Sequence, residues 1–253
     1  MKKAMIIIGA LLGVMMMGEA RAQTCVTPPD CGTLGYNKTT ADCAGLDMLA
    51  CPFDTSKVFC TAGGGGGTPS SEVMPGMIVY SDGTFSNSVI SGKTPVGVVA
   101  YVEGFARFMV ALEEQSSLNW GRGYDLSGIT NYDSSDAAIT DISGFGNTSC
   151  IMNESGDYQA AKYCNEYKPV SSGTGSFGWY LPAAGELYVM KNTFAVVSYA
   201  LQKLGKTAIS SGDVYWSSSE ANGSNAWTVR PSDGNTLNYT KTSTHRVRCV
   251  LAF

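Results

Sequence analysis

A chain of 253 residues with a net charge of −4, 15% charged residues, one histidine and eight cysteines has room for one full domain and a small companion. It carries no clustered stripe of Lys and Arg of the kind phosphate contacts require, which excludes a nucleic-acid binder. His245 alone leaves no His-based zinc constellation and at most one imidazole for acid–base work.

Lys2 and Lys3, the uncharged apolar run Ala4 to Gly18 and the small-x-small sequence Ala20-Arg21-Ala22 read as a secretory signal peptide over residues 1–22. The apolar run falls short of the ~20 residues that cross a bilayer, and no later segment comes close, so no membrane span is expected. The expected mature chain starts at Gln23 with 14 basic and 20 acidic side chains, a net charge of −6. Its expected location is the cell surface or the extracellular medium, with the periplasm as an alternative. All eight cysteines lie beyond the cleavage site, where an oxidising compartment makes disulfides the default.

Residues 23–61 hold Cys25, Cys31, Cys43, Cys51 and Cys60 among Pro28, Pro29 and Pro52. This composition suits turns with little regular structure, in a module too small to hold without bridges. None of its spacings is Cys-x-x-Cys, which speaks against zinc. Residues 62–71, with five consecutive glycines at Gly63–Gly67, form a flexible linker. The main domain follows over residues 72–253.

In that domain Met77-Ile78-Val79-Tyr80, Ser81-Asp82-Gly83 and Thr84-Phe85 predict a hairpin, since Asp-Gly accepts positive φ angles. Val96 to Val102 and Phe105 to Leu112 are further strands by their Val and aromatic content. Residues 118–149 show no sustained period and are either a functional loop or an unrecognised weak element. A helix is predicted over about Asp157 to Tyr167, with Tyr158, Ala161, Cys164 and Tyr167 on one face. A second runs from Pro182 to Gly205 on the stripe Leu187, Met190, Phe194, Val197, Leu201 and Leu204. Tyr215-Trp216, Ala226 to Val229 and Arg246 to Phe253 return to β structure. The result is an α+β domain whose first and last strands meet in one sheet.

Two stretches carry a family resemblance. Ala160-Ala161-Lys162-Tyr163-Cys164 followed by Gly178-Trp179-Tyr180-Leu181-Pro182-Ala183-Ala184-Gly185-Glu186-Leu187, with Arg246-Val247-Arg248-Cys249 near the end, resembles formylglycine-generating-enzyme-like (sulfatase-modifying-factor-like) and related C-type-lectin-like domains. The resemblance spans most of residues 72–253 and implies a C-type-lectin-like frame behind a small disulfide-rich module, with Cys164 paired to Cys249. If every thiol is oxidised, parity then sends Cys150 back to the N-terminal module. The enzyme of that fold uses a cysteine pair just before the terminal strand, and residues 165–248 contain no cysteine, so its thiolate chemistry has no nucleophile and no catalytic residue is assigned. Lectin-type calcium–sugar motifs are likewise missing, with Arg230-Pro231-Ser232-Asp233 the nearest approach. Asp125, Asp133, Asp136 and Asp141 remain possible Ca2+ ligands, with turn residues as the alternative.

Tyr215-Trp216-Ser217-Ser218-Ser219-Glu220, Ala226-Trp227, Gly234, Lys241 and Arg246-Val247-Arg248 further resemble the variable-region frame of binding proteins from diversity-generating retroelements. Adenine mutagenesis of Asn codons there cannot produce Lys, Glu, Gln, Met or Trp. Between Ala221 and Arg246 only Trp227 and Lys241 belong to that set, and both fall on frame positions. Ordinary loops on a lectin-like frame give the same composition. In either case the candidate ligand surface is Asn222, Asn225, Thr228, Arg230, Ser232, Asn238, Tyr239, Thr242 and His245, with Tyr239 the best anchor and Arg230 next. Trp179, Trp216 and Trp227 are expected to pack inside. The expected protein is a secreted or surface binding protein for an extracellular glycan or protein, with no cofactor. An enzyme with an unrecognised carboxylate site and a structural envelope or fimbria-associated subunit are the alternatives.

Overall fold

The computed structural model describes residues 73–103 and 107–253 and, as backbone alone, two strands, β1 (Asp47–Cys51) and β2 (Asp54–Thr61). These two form an antiparallel hairpin, regular structure where the cysteine-rich composition suggested little. The signal peptide, the linker and the remaining calls on residues 1–72 lie outside the described residues.

The main domain is α+β, with two five-stranded sheets. The first has the order β10-β9-β8-β11-β7, from β7 (Gln115–Asn119), β8 (Tyr215–Glu220), β9 (Asn225–Arg230), β10 (Asn235–Thr240) and β11 (Thr244–Val247). The second has the order β12-β6-β5-β3-β4, from β3 (Ile78–Tyr80), β4 (Phe85–Ser86), β5 (Pro95–Tyr101), β6 (Phe108–Ala111) and β12 (Val250–Ala252). The predicted Asp-Gly hairpin is present: Gly83 sits at φ 82° and donates to the Tyr80 carbonyl. β3 and β12 share a sheet as expected. The expected terminal strand is instead two. Arg248 and Cys249 carry the chain from the first sheet to the second, and the buried Arg248 guanidinium fixes the crossing on Glu114 and the carbonyls of Ala111 and Thr207.

Alternation lets the inner strands of each sheet bury both faces, unlike β10. On the first sheet, Trp216, Ala226 and Val247 join one apolar cluster with Trp120, Ile151 and Trp179. Tyr215, Trp227 and Val229 join the other, with Leu187, Met190 and Leu201. The first cluster is covered by α2 (Gly144–Asn153) and α3 (Gln159–Glu166), the second by α4 (Ala184–Val189) and α5 (Phe194–Lys203). Residues 118–149 are thus only partly a loop: they hold the end of β7, the short α1 (Ser135–Ala138) and the start of α2. α3 matches its predicted span, and Cys164 on it is bridged to Cys249 with Cα atoms 5.2 Å apart. Cys150 is also disulfide-bonded. The helix after Pro182 is broken, because a 3-10 turn at Met190–Asn192 intervenes and the Thr193 hydroxyl donates to the Ala100 carbonyl at 2.7 Å.

Candidate functional site

The β8–β9–β10 meander and its turns hold all nine candidate residues except His245, which begins the return on β11. The β8–β9 turn is fixed by Asn222, whose side-chain oxygen accepts the amides of Ser224 and Asn225 at 2.9 and 3.0 Å. The β9–β10 turn needs Gly234, with φ 77° and no room for a Cβ against the Tyr188 ring. Arg230 closes it with a bidentate contact on Asp233, and the Ser232 hydroxyl donates to the Ser211 carbonyl. At the far end Lys241 turns inward. Its ammonium is buried on Glu220, donates to the Tyr124 carbonyl at 2.9 Å and lies 4.8 Å from the Trp120 ring centre.

Register sorts the candidates onto two faces. Leu237 and Tyr239 lie opposite Thr228 and Ala226, and Trp216 lies opposite Thr228, so these share one face with His245. Asn238 lies opposite Trp227 and Thr240 opposite Asn225, which puts Asn225 and Asn238 on the other face, hydrogen-bonded at 3.2 Å. Thr228 is fully buried, its hydroxyl engaged by the Leu237 carbonyl at 2.9 Å, so it is not part of an open surface. Ser232, Asn222 and Thr242 sit on turns, and Arg230 ends β9 opposite Asn235, at the other end of β10 from Tyr239.

What does converge is an aromatic series running from core to solvent. The His245 ring lies edge-on to Trp216 at 4.7 Å between centroids and tilted against Tyr239 at 4.4 Å. Ala226, opposite Tyr239, offers only a methyl group in the space between. Trp216 is fully buried, while Tyr239 and Leu237 are 36% and 42% exposed. His245 is half-buried rather than a free surface histidine. Among the described residues its Nε2 has no hydrogen-bond partner, and burial pulls its pKa below the ordinary 6.5, so the ring is neutral at neutral pH. Leu237 was missed in the sequence, although the alternation Leu237-Asn238-Tyr239 is a period-two signal.

Beneath the meander lies a buried polar layer. Ser219 donates to Asp141 at 2.6 Å and accepts the Ala184 amide at 2.9 Å, supplying the start of α4 with a cap that Ala183 cannot provide. Glu186 accepts the Ala183 amide at 2.7 Å and the Tyr180 hydroxyl at 2.8 Å. The helix dipole alone favours an ionised Glu186, but burial dominates and pushes its pKa up to about 8. Asp141 is committed to Asn147, Ser143 and Ser219, and Asp125 accepts from Asn131. The four aspartates read as possible Ca2+ ligands therefore do not gather: among the described residues no three or more His, Cys, Asp or Glu are grouped to hold a metal ion. No helix among them is long and apolar enough to cross a membrane.

The sequence matches no protein-family model and no curated protein. The structure is similar to that of a fimbrial protein from Bacteroides ovatus, solved by crystallography. The TM-score is 0.57 at 16% identity, over 72% of this chain and 49% of that one. The likeness is one of fold, and it spans about half the length of that fimbrial protein.

Proposed function

We propose that the chain is an extracellular structural or adhesive subunit, of the kind a bacterial fimbrial protein represents, that meets its partner through the β8–β11 meander. The observation that carries this reading is the fold likeness to a fimbrial protein. It favours the structural alternative over a free-standing lectin-like binder. The signal-peptide pattern and the exposed Tyr239 and Leu237 beside a neutral His245 support it, since large amphipathic side chains with few rotamers are good contact groups. A protein partner fits this mixed apolar and amide surface, a glycan remains the finer alternative on a C-type-lectin-like frame, and no catalytic role is part of the reading. Brief protease treatment of intact cells should cut the chain into fragments that separate on a reducing gel, and Leu237→Ala with Tyr239→Ala should abolish attachment to the partner without lowering thermal stability. A chain protected in intact cells would sink the proposal.

A specific observation favours diversified display as a second reading. The two residues that adenine mutagenesis could not generate, Trp227 and Lys241, are both buried, as is the candidate Thr228, whereas Asn222, Asn238, Tyr239 and Thr242 are exposed. Resequencing a clonal population should find adenine-biased variation at the exposed positions and none at Trp227 or Lys241.

A further inference from the structure

Each five-stranded sheet has two edges, and three of these four are guarded in ways that block pairing. Beyond β12, Tyr180 and Val250 exchange hydrogen bonds at 3.0 Å in both directions. β4 is two residues long. β7 meets a register irregularity opposite His245 and Val247, and its last residue, Asn119, donates to the α3 side chain of Gln159. β10 has none of these guards. All six of its residues pair with β9 in unbroken register, and five of the six are exposed. Asn-Thr-Leu-Asn-Tyr-Thr contains no charge and no proline, and among the described residues no strand lies beyond it. Its flanking charges are cancelled internally, Arg230 by Asp233 at one end and Lys241 by Glu220 at the other.

We infer that β10 pairs antiparallel with β10 of a second copy, joining two five-stranded sheets into one. This deepens the proposed role of the meander by naming a partner for its edge. A two-fold axis normal to the sheet keeps like faces on the same side. Centred on Asn238, it places Leu237 opposite Tyr239 of the second copy, twice, an aliphatic–aromatic cross-strand pair of the kind that stabilises sheets. Asn238 then faces Asn238 of the second copy, and no like charges meet. The interface is isologous, as two-fold contacts are, and it extends the aromatic face across both copies.

Sedimentation equilibrium of the processed full chain, purified from the cells that export it, should show a monomer–dimer equilibrium. Asn238→Lys and Asn238→Asp each set like charges against each other on the axis, and each alone should lose the dimer. An equimolar mixture of the two should regain it. Asn238→Asp is nearly isosteric, so it serves if Asn238→Lys fails to fold by circular dichroism. Thr242→Lys, which adds the same charge beyond the strand, should leave the dimer intact. A wild-type chain monomeric at its highest soluble concentration overturns the pairing, as does a dimer that survives both Asn238 variants, or a monomer that instead takes up a foreign extended peptide at this edge. Surface exposure is read on intact cells and is independent of this result, so the two readings fail separately.

Discussion

The β9–β10 hairpin is closed at each end by an ion pair, and the two pairs sit in opposite surroundings. Lys241 and Glu220 are completely buried, and burial pushes the Glu220 carboxyl above its ordinary value even with the ammonium beside it. Arg230 and Asp233 lie on the surface, where the guanidinium holds the Asp233 carboxyl down at about 2. The chemistry is similar and the consequence is not. The inner pair ties the hairpin to Trp120 and the Tyr124 loop, so its loss leaves a buried charge unpartnered, whereas the outer pair returns to water when broken.

The largest effect is expected from Lys241→Met, which should cost about 3–5 kcal/mol of unfolding free energy in denaturant titration. Adding Glu220→Gln should recover part of that by removing the orphaned charge. Equal stability of wild type and Lys241→Met would mean that burial does not separate the two pairs.

Glu186 sharpens the contrast, because it is buried with Tyr180 and Ala183 as partners and no cation. Below pH 4.5 its carboxyl is protonated in folded and unfolded chains alike, and its contribution is fully present. Between 4.5 and about 8 the unfolded chain ionises first, so stability should fall by up to about 1.4 kcal/mol per pH unit and level off above. Unfolding titrations across this window should show that slope in wild type and a flatter one in Glu186→Gln.

A smaller effect is expected at His245. Its folded-state pKa is lowered by burial, so the stability it contributes above pH 6.5 is lost as the pH falls below 6.5 and through the folded-state value. Trp fluorescence, reporting on Trp216 beside the ring, should shift on acidification in wild type and not in His245→Asn. Smallest of all is Arg230→Ala, which should leave the melting temperature unchanged, because the pair it breaks is exposed.

Strong local patterns were legible: the Asp82-Gly83 hairpin, the Ala161 and Cys164 stripe of α3, and the buried tryptophans all follow from period and turn chemistry. The single helix expected after Pro182 failed because its stripe runs unbroken through Met190 and Phe194, while a tertiary bond from Thr193 to Ala100 interrupts it. β10 was read as loop because Asn235 and Asn238 are of a type depleted in strands and Ser232-Asp233-Gly234 just before it are turn formers, and its pairing with β9 is a context the sequence does not announce. The candidate site was legible as a region but not as a surface. A one-residue alternation sends Asn238 and Tyr239 to opposite faces, and only the register with β9 reveals which residues stand together.

The bridge between Cys164 and Cys249, 85 residues apart in sequence, closes a covalent ring that contains the entire β8–β10 meander and the exposed turn at Thr242. A protease that nicks this turn therefore releases nothing. Both cut ends stay tethered through the bridge, and separation requires a reductant as well as a cut. A chain closed this way keeps the meander attached when its exposed turn is cut.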